Sequence, residues 1–221
     1  MEPFTRFDRP DCLFPRVTSR DRIQRFMENS KGPVIVGVLL AAGRGSRFGG
    51  RKLVASLPDG MQVGARAART LRGAVDSGVA VVRPGDAELS SLFSREGLTP
   101  LPFDRADEGM GASLSFGVSS TPDALGWVVA LADMPFVQPE TVEAVCRKLR
   151  EGAWIVVPSH GGRRGHPVAF SRSLRGELVQ LGGDKGARSV LSKHSERVVT
   201  LECDDPGILL DVDTPDDLSK G

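Results

Sequence analysis

Between Leu40 and Leu53 the sequence reads LAAGRGSRFGGRKL, which places four glycines (Gly43, Gly45, Gly49, Gly50) and four cations (Arg44, Arg47, Arg51, Lys52) in one short stretch. Glycine lets backbone amides come close to an anion, and Arg and Lys neutralise its charge, so a triphosphate is the guest this composition suits. An ordinary strand-to-helix turn with a solvated basic surface is the competing reading. Two other phosphate patterns do not fit. A P-loop needs GxxxxGK[ST], yet Lys52 follows Arg51 and precedes Leu53, so the metal-binding hydroxyl is missing. A dinucleotide fingerprint needs GxGxxG, and after Gly43-x-Gly45 the third glycine is replaced by Phe48.

A cation-binding counterpart would come from carboxylates. Asp133, in Ala132-Asp133-Met134-Pro135, stands where the apolar run Trp127 to Ala132 ends, so it is either an acid on the ligand edge of a sheet or a turn cap before Pro135. Asp211-Val212-Asp213-Thr214-Pro215 has period-two spacing, which would set Asp211 and Asp213 on one face of a strand and let two acids share a cation. Asp213 or Thr214 is equally a good N-cap for a short helix starting at Pro215. Magnesium suits such a set, because it is a hard ion that binds one or two carboxylates and completes its shell with substrate phosphates and water.

Three further segments carry polar groups among glycines. Glu108 to Leu114 places Ser113 at the start of a helix, where free amides can meet an anion or a base edge. Gly161 to Phe170 puts Arg163, Arg164 and His166 on a turn between strand-like pieces, which also reads as a solvated hairpin. Gly182 to Arg188 opens another helix, with Asp184 as a plausible cap and Arg188 available to a phosphate. The three histidines, His160, His166 and His194, receive no proton-transfer role.

The elements that must position these groups follow from patterning. Val34 to Leu40 is continuously apolar and β-branched, as a strand buried on both faces should be. Strands near 79–82, 127–131 and 155–157 alternate with helices near 63–75, 87–96 and 139–149. That alternation predicts an α/β fold of three layers, a mostly parallel twisted sheet flanked by helices, with ligands at the carboxyl ends of the strands. Residues 1–32 read as an arm with one short helix around Ile23, Phe26 and Met27, and residues 33–221 as a single domain.

Composition narrows the partners. The 221 residues are 40% hydrophobic and 26% charged, enough for one compact core. With 29 Lys+Arg against 28 Asp+Glu, no global field attracts nucleic acid or an anionic membrane. Cys12, Cys146 and Cys203 lie far apart, which suggests neither a zinc site nor a disulfide framework, and a reducing cytoplasmic setting is expected. The N-terminus has no apolar signal core, and no run approaches a membrane span.

The stretch from Leu40 resembles the LAAGxGxRxGxxK signature of the MobA-like nucleotidyltransferases, here with one residue between Gly50 and Lys52. ADMP at Ala132, DVDTPDD at Asp211, and blocks similar to GMxxSL, GHPxxF and GDxGAR occur in that family's order. The two alanines, Ala41 and Ala42, resemble the molybdenum cofactor cytidylyltransferase branch. The chain before Lys31 has no counterpart there, and Val82-Arg83-Pro84-Gly85 replaces the usual strand end.

The resemblance implies the GT-A, or nucleotide-diphospho-sugar transferase, form of a Rossmann-like sheet. It implies a magnesium-dependent transfer of CMP from CTP to the phosphate of molybdopterin, with release of pyrophosphate. Arg47, Lys52 and Asp133 would be catalytic, with metal at Asp133 and at Asp211 or Asp213. Leu40, Ala41, Ala42, Gly43, Arg44, Gly45 and Ser113 would bind the nucleotide, and Arg164, His166, Asp184 and Arg188 the acceptor. Guanylyl transfer from GTP, transfer to another small phosphate, and a non-catalytic nucleotide-binding accessory for a molybdoenzyme or its chaperone remain the alternatives.

Overall fold

The computed structural model describes residues 34–43, 45, 48 and 50–220. The expected helix around Ile23, Phe26 and Met27 lies outside the described residues, as do Arg44, Ser46, Arg47 and Gly49 of the glycine-rich stretch. The buried run becomes β1 (Ile35–Leu40), with parallel neighbours β2 (Ser77–Val82) and β4 (Gly126–Leu131). β3 (Thr99–Pro102) extends the parallel half beyond β2, and its two prolines remove donors from an edge strand. Leu40 stands level with Val81 and with Leu131, so the three carboxyl ends share one rim.

The other half is mixed. β5 (Ile155–His160) and β7 (Val168–Ser171) are antiparallel to one another, and β7 inserts antiparallel beside β4. β6 (Arg163–Arg164) pairs with the far end of β5, and β8 (Val198–Glu202) lies parallel to β5. The order is β3-β2-β1-β4-β7-β5, with β6 and β8 both on β5. A mostly parallel, helix-flanked sheet was expected; the antiparallel insertion was not, because Val168-Ala169-Phe170 has the same apolar texture in either direction.

Side chains of β1 alternate between two cores. Ile35 and Leu39 pack with Leu71 of α1 (Val63–Ala74), Phe93 of α2 (Ala87–Arg95) and Val145 of α4 (Pro139–Arg150). Val36 and Val38 pack on the other face with Leu114 and Val118 of α3 (Met110–Ser119), Trp127 and Phe170. Each fully buried large side chain contributes about 1.5–3 kcal/mol. Two short helices follow, α5 (Arg175–Leu178) and α6 (Arg188–Lys193). Among the described residues no helix is long and apolar enough to cross a membrane.

Two local expectations change. Asp184 does not cap a helix: α6 starts at Arg188 with Ala187 at its N-cap, leaving Asp184 in the preceding turn. Asp211 to Asp213 forms no strand; Val212 N donates to the Asp133 carbonyl at 2.8 Å, while the Val212 side chain is buried. Thr214 is the cap. Asp217 accepts from the amides of Asp213 (3.0 Å) and Thr214 (2.7 Å) and from the Thr214 hydroxyl (2.8 Å), fixing the turn before Pro215–Ser219.

Close backbone approach binds α3 to the Gly182–Asp184 turn. Gly111 N donates to the Gly183 carbonyl at 2.8 Å, and Gly109 has φ 105°. A Cβ there would lie 2.4 Å from Asp184 Oδ1 and 2.5 Å from the Gly183 carbonyl carbon.

Gly109→Ala should therefore destabilise the protein by about 1–3 kcal/mol, whereas Gly73→Ala, in open space within α1, should be neutral or stabilising; chemical denaturation of the two variants decides it, and equal stabilities would contradict the packing described. Lys220, then the Thr214 hydroxyl and amide, hold the Asp217 carboxyl below its ordinary range. Its contribution is thus complete above the usual aspartate value of 3.8 and is lost as pH falls through the lower folded value. Asp217→Asn should lower the melting temperature at neutral pH, with the gap narrowing only in acid; a gap independent of pH down to strong acid would contradict this role.

Candidate active site

The carboxyl ends of β1, β2 and β4 open into a cleft of about 730 Å³, within the size range of small-molecule sites. Its floor is the end of β1. Ala41 N donates to Val81 O (2.9 Å) and Ala132 N to Leu40 O (3.1 Å), so both neighbouring strands hold the point where the glycine-rich turn begins. Gly45, at φ 58°, lets its carbonyl receive the amides of Phe48 (3.1 Å) and Gly50 (3.3 Å). Gly50 and Arg51 both have positive φ, 92° and 57°, and turn the chain back into a 3₁₀ turn at Lys52–Val54.

That reversal aims Lys52 across the cleft. Its Nζ donates to Asp133 Oδ2 at 2.8 Å and to Asp213 Oδ1 at 3.2 Å. Burial alone would lower the ammonium pKa, but the hydrogen bonds and charges of Asp133 and then Asp213 outweigh it and raise the value, so Lys52 is charged. Asp133 is brought there by the end of β4, and Asp213 by the Val212–Asp133 backbone bond and the Thr214 cap. Asp211 is exposed and makes no such contact with Lys52.

The donor set fits magnesium. Two carboxylate oxygens from distant parts of the chain already meet at one cation, and hard oxygen ligands suit a hard ion that takes further oxygens from phosphate and water. Among the described residues no group of three or more His, Cys, Asp or Glu gathers, so an all-protein cage is not present there.

The cleft wall beyond Ala42 is polar. Arg83, just past β2, donates to Asp107 Oδ1 at 2.6 Å, and its Nε is buried without a partner among the described residues. Arg51 reaches over to Glu88 at the start of α2. Ser113 is buried and also lines the cleft, its hydroxyl directed back to the Gly109 carbonyl at 3.4 Å.

Of the four residues expected on the acceptor side, Asp184 alone lines this cleft. Arg164 is exposed on β6, 3.4 Å from the Thr200 hydroxyl, as the solvated-hairpin reading has it. Arg188 is exposed on α6. His166 sits where β6 passes into β7; its amide donates to Ile208 O at 3.0 Å. Its ring lines a separate recess with Leu71 and Val142, and Nδ1 is buried without a partner among the described residues. Burial, helped by the charge of Arg188, lowers the His166 pKa against the opposing pull of the Val129 backbone and Asp133.

Leu40, Ala41, Ala42, Gly43 and Gly45 all line the cleft, whereas Arg44 and Arg47 lie outside the described residues. Sequence reasoning counted Arg51 only among the cations of the glycine-rich stretch and gave no role to Glu88 or Asp107. Arg51 had a signal, a cation beside Lys52; Glu88 and Asp107 had none, since they are ordinary acids near helix starts.

Known proteins resemble this chain over most of its length. The family model described as the MobA-like NTP transferase domain matches residues 37–198. The purine catabolism protein PucB of Bacillus subtilis is 31% identical over 198 residues, covering 85% of this chain and 95% of PucB. The nicotine blue oxidoreductase of Paenarthrobacter nicotinovorans is 31% identical over 199 residues, 85% of this chain and 96% of the relative. The crystal structure of Rv0371c from Mycobacterium tuberculosis H37Rv superposes with a TM-score of 0.72 at 29% identity, covering 87% of this chain and all of that one. A manganese complex of Rv0371c superposes at 0.66, with 29% identity over 83% of this chain and 95% of that one. From the glycine-rich turn after β1 to the acid that ends β4, and across most of its length, the chain belongs to the MobA-like NTP transferase family of nucleotidyltransferases.

Proposed function

We propose that this nucleotidyltransferase uses magnesium to transfer CMP from CTP to the phosphate of molybdopterin. The observation that carries the reading is the meeting of Lys52 with Asp133 and Asp213 in the cleft that begins at Ala41 and Gly43. Magnesium held by Asp133 and Asp213 would neutralise charge at the α-phosphate. The amides of Gly43 and Gly45 would face the phosphates, Lys52 would bind the phosphate oxygens, and Arg47 takes the role that the family signature gives it. An oxygen of the acceptor phosphate attacks the α-phosphorus, the α–β anhydride bond breaks, and pyrophosphate leaves. A phosphate monoester is already anionic near neutral pH, so positioning and electrostatics suffice without a general base.

Base choice is assigned to Arg83 and Asp107. Cytosine presents an amino donor beside two acceptors, N3 and O2, which a carboxylate next to a guanidinium complements. Asp184 borders the acceptor side. The acceptor itself rests on the resemblance of Ala41-Ala42, Gly165 to Phe170 and Gly183 to Arg188 to the cytidylyltransferase branch. A cytoplasmic setting and a molybdoenzyme or its chaperone as the receiver of product complete the reading; free Cys146 and Cys203 are in keeping with it.

Pyrophosphate release with magnesium, each of the four NTPs and molybdopterin tests this. CTP should be preferred, and Lys52→Ala or Asp133→Ala should lower turnover by roughly two or more orders of magnitude in a folded protein. Turnover unchanged in either variant refutes the assignment. GTP preference selects guanylyl transfer, and tight CTP binding with no pyrophosphate selects the non-catalytic accessory. Arg83→Ala should cost about 10-fold or more in kcat/KM with CTP, the scale of one bidentate base contact, and flatten the ranking of NTPs; a ranking left intact removes Arg83 from base choice.

A further inference from the structure

Lys52 is held by the same two carboxylate oxygens that would bind the divalent cation. Its side chain is only 12% exposed, against 26% for Asp133 and 37% for Asp213, so the lysine is the least exposed of the three. A divalent ion at about 2.0–2.1 Å from either oxygen would lie no more than about 5 Å from Nζ, and in a half-buried site such a like-charge pair is strongly repelled. Lysine is a point charge on a flexible four-carbon stem, able to change partners without moving the backbone. The stem also has a track to follow: it lies along Gly45, where a Cβ would stand only 3.8 Å from Lys52 Cγ, and so runs beside the turn that faces the phosphates.

We propose that Lys52 is an exchangeable cation of the metal site: it bridges Asp133 and Asp213, and it yields both acids to the divalent ion by moving onto the phosphates of the incoming nucleotide. Metal and nucleotide then bind cooperatively, since phosphate draws Lys52 off Asp133 Oδ2 and Asp213 Oδ1, the oxygens it occupies. By linkage the metal raises nucleotide affinity by the same factor. The inference rests on the nucleotidyl-transfer reading for the location of the phosphates, yet its tests do not depend on turnover.

Binding of Mn²⁺ without nucleotide, followed by electron paramagnetic resonance, compares the wild type with Lys52→Met and Lys52→Gln. Both variants should bind Mn²⁺ more tightly, by roughly 5- to 150-fold, the usual span of coupled sites, and Asp133→Asn should abolish that gain. Equal or weaker binding in folded variants, or no binding in any of them, overturns the proposal. Acetylation of Lys52 in the wild type, read by mass spectrometry, should rise on saturation with Mn²⁺ alone because the amine leaves its carboxylates; unchanged labelling also overturns it. Pyrophosphate formation by the wild type beside a failed exchange test sinks this inference alone, whereas no pyrophosphate with any NTP sinks the reading of function and leaves the exchange test to stand on its own result.

Discussion

Two like charges brought together in a partly buried cleft set the constraint around which this molecule is arranged. Asp133 and Asp213 come from positions 80 residues apart, and their oxygens approach a single point. Without a cation between them their repulsion and desolvation would favour opening the cleft. Lys52 answers that cost by hydrogen bonding to both. The interaction thus ties the C-terminal segment to the exit of β4 and anchors Lys52 between them.

Much of the fold can be understood as support for that contact. β1 is buried on both faces and held by β2 and β4, so the start of the turn is fixed before the glycines take over. Gly50 and Arg51 reverse the chain toward the acids. On the far side, Asp205 accepts from Gln138 N, the Thr141 hydroxyl and Gly207 N at 3.0, 2.7 and 2.9 Å, tying the C-terminal segment to the start of α4 just after the Asp133 turn. Asp133 and Asp213 are therefore held from both ends, by secondary structure on one side and by caps on the other.

The fold class and the rim at the end of β1 were legible from local patterning. A continuous apolar run followed by glycines and cations identified the rim, and Asp133 announced itself by ending an apolar strand. These signals are local, one strand and its exit. The antiparallel insertion of β7 was not legible, because pairing partners are chosen by long-range packing that leaves no mark on Val168-Ala169-Phe170. The burial of His166 has the same origin: it depends on how β6 passes into β7, and nothing local separates a histidine on a solvated turn from one in a recess. Arg164 and Arg188 carried phosphate-binding chemistry by type, yet both are exposed and neither lines the cleft. The pairs that span the cleft wall, Arg83–Asp107 and Arg51–Glu88, join segments 24 and 37 residues apart and so escaped a reading made segment by segment.

The central claim is spatial: nucleotide phosphates and a divalent ion meet between the turn after β1 and the carboxylates of Asp133 and Asp213. The most direct measurement is a crystal structure with Mn²⁺ and a non-hydrolysable CTP analogue, using the anomalous signal of manganese to find the ion. The account predicts a peak in contact with oxygens of Asp133, Asp213 and the phosphates, with Lys52 Nζ on phosphate. Manganese or nucleotide bound away from the cleft, with the Lys52 contacts undisturbed, would contradict it.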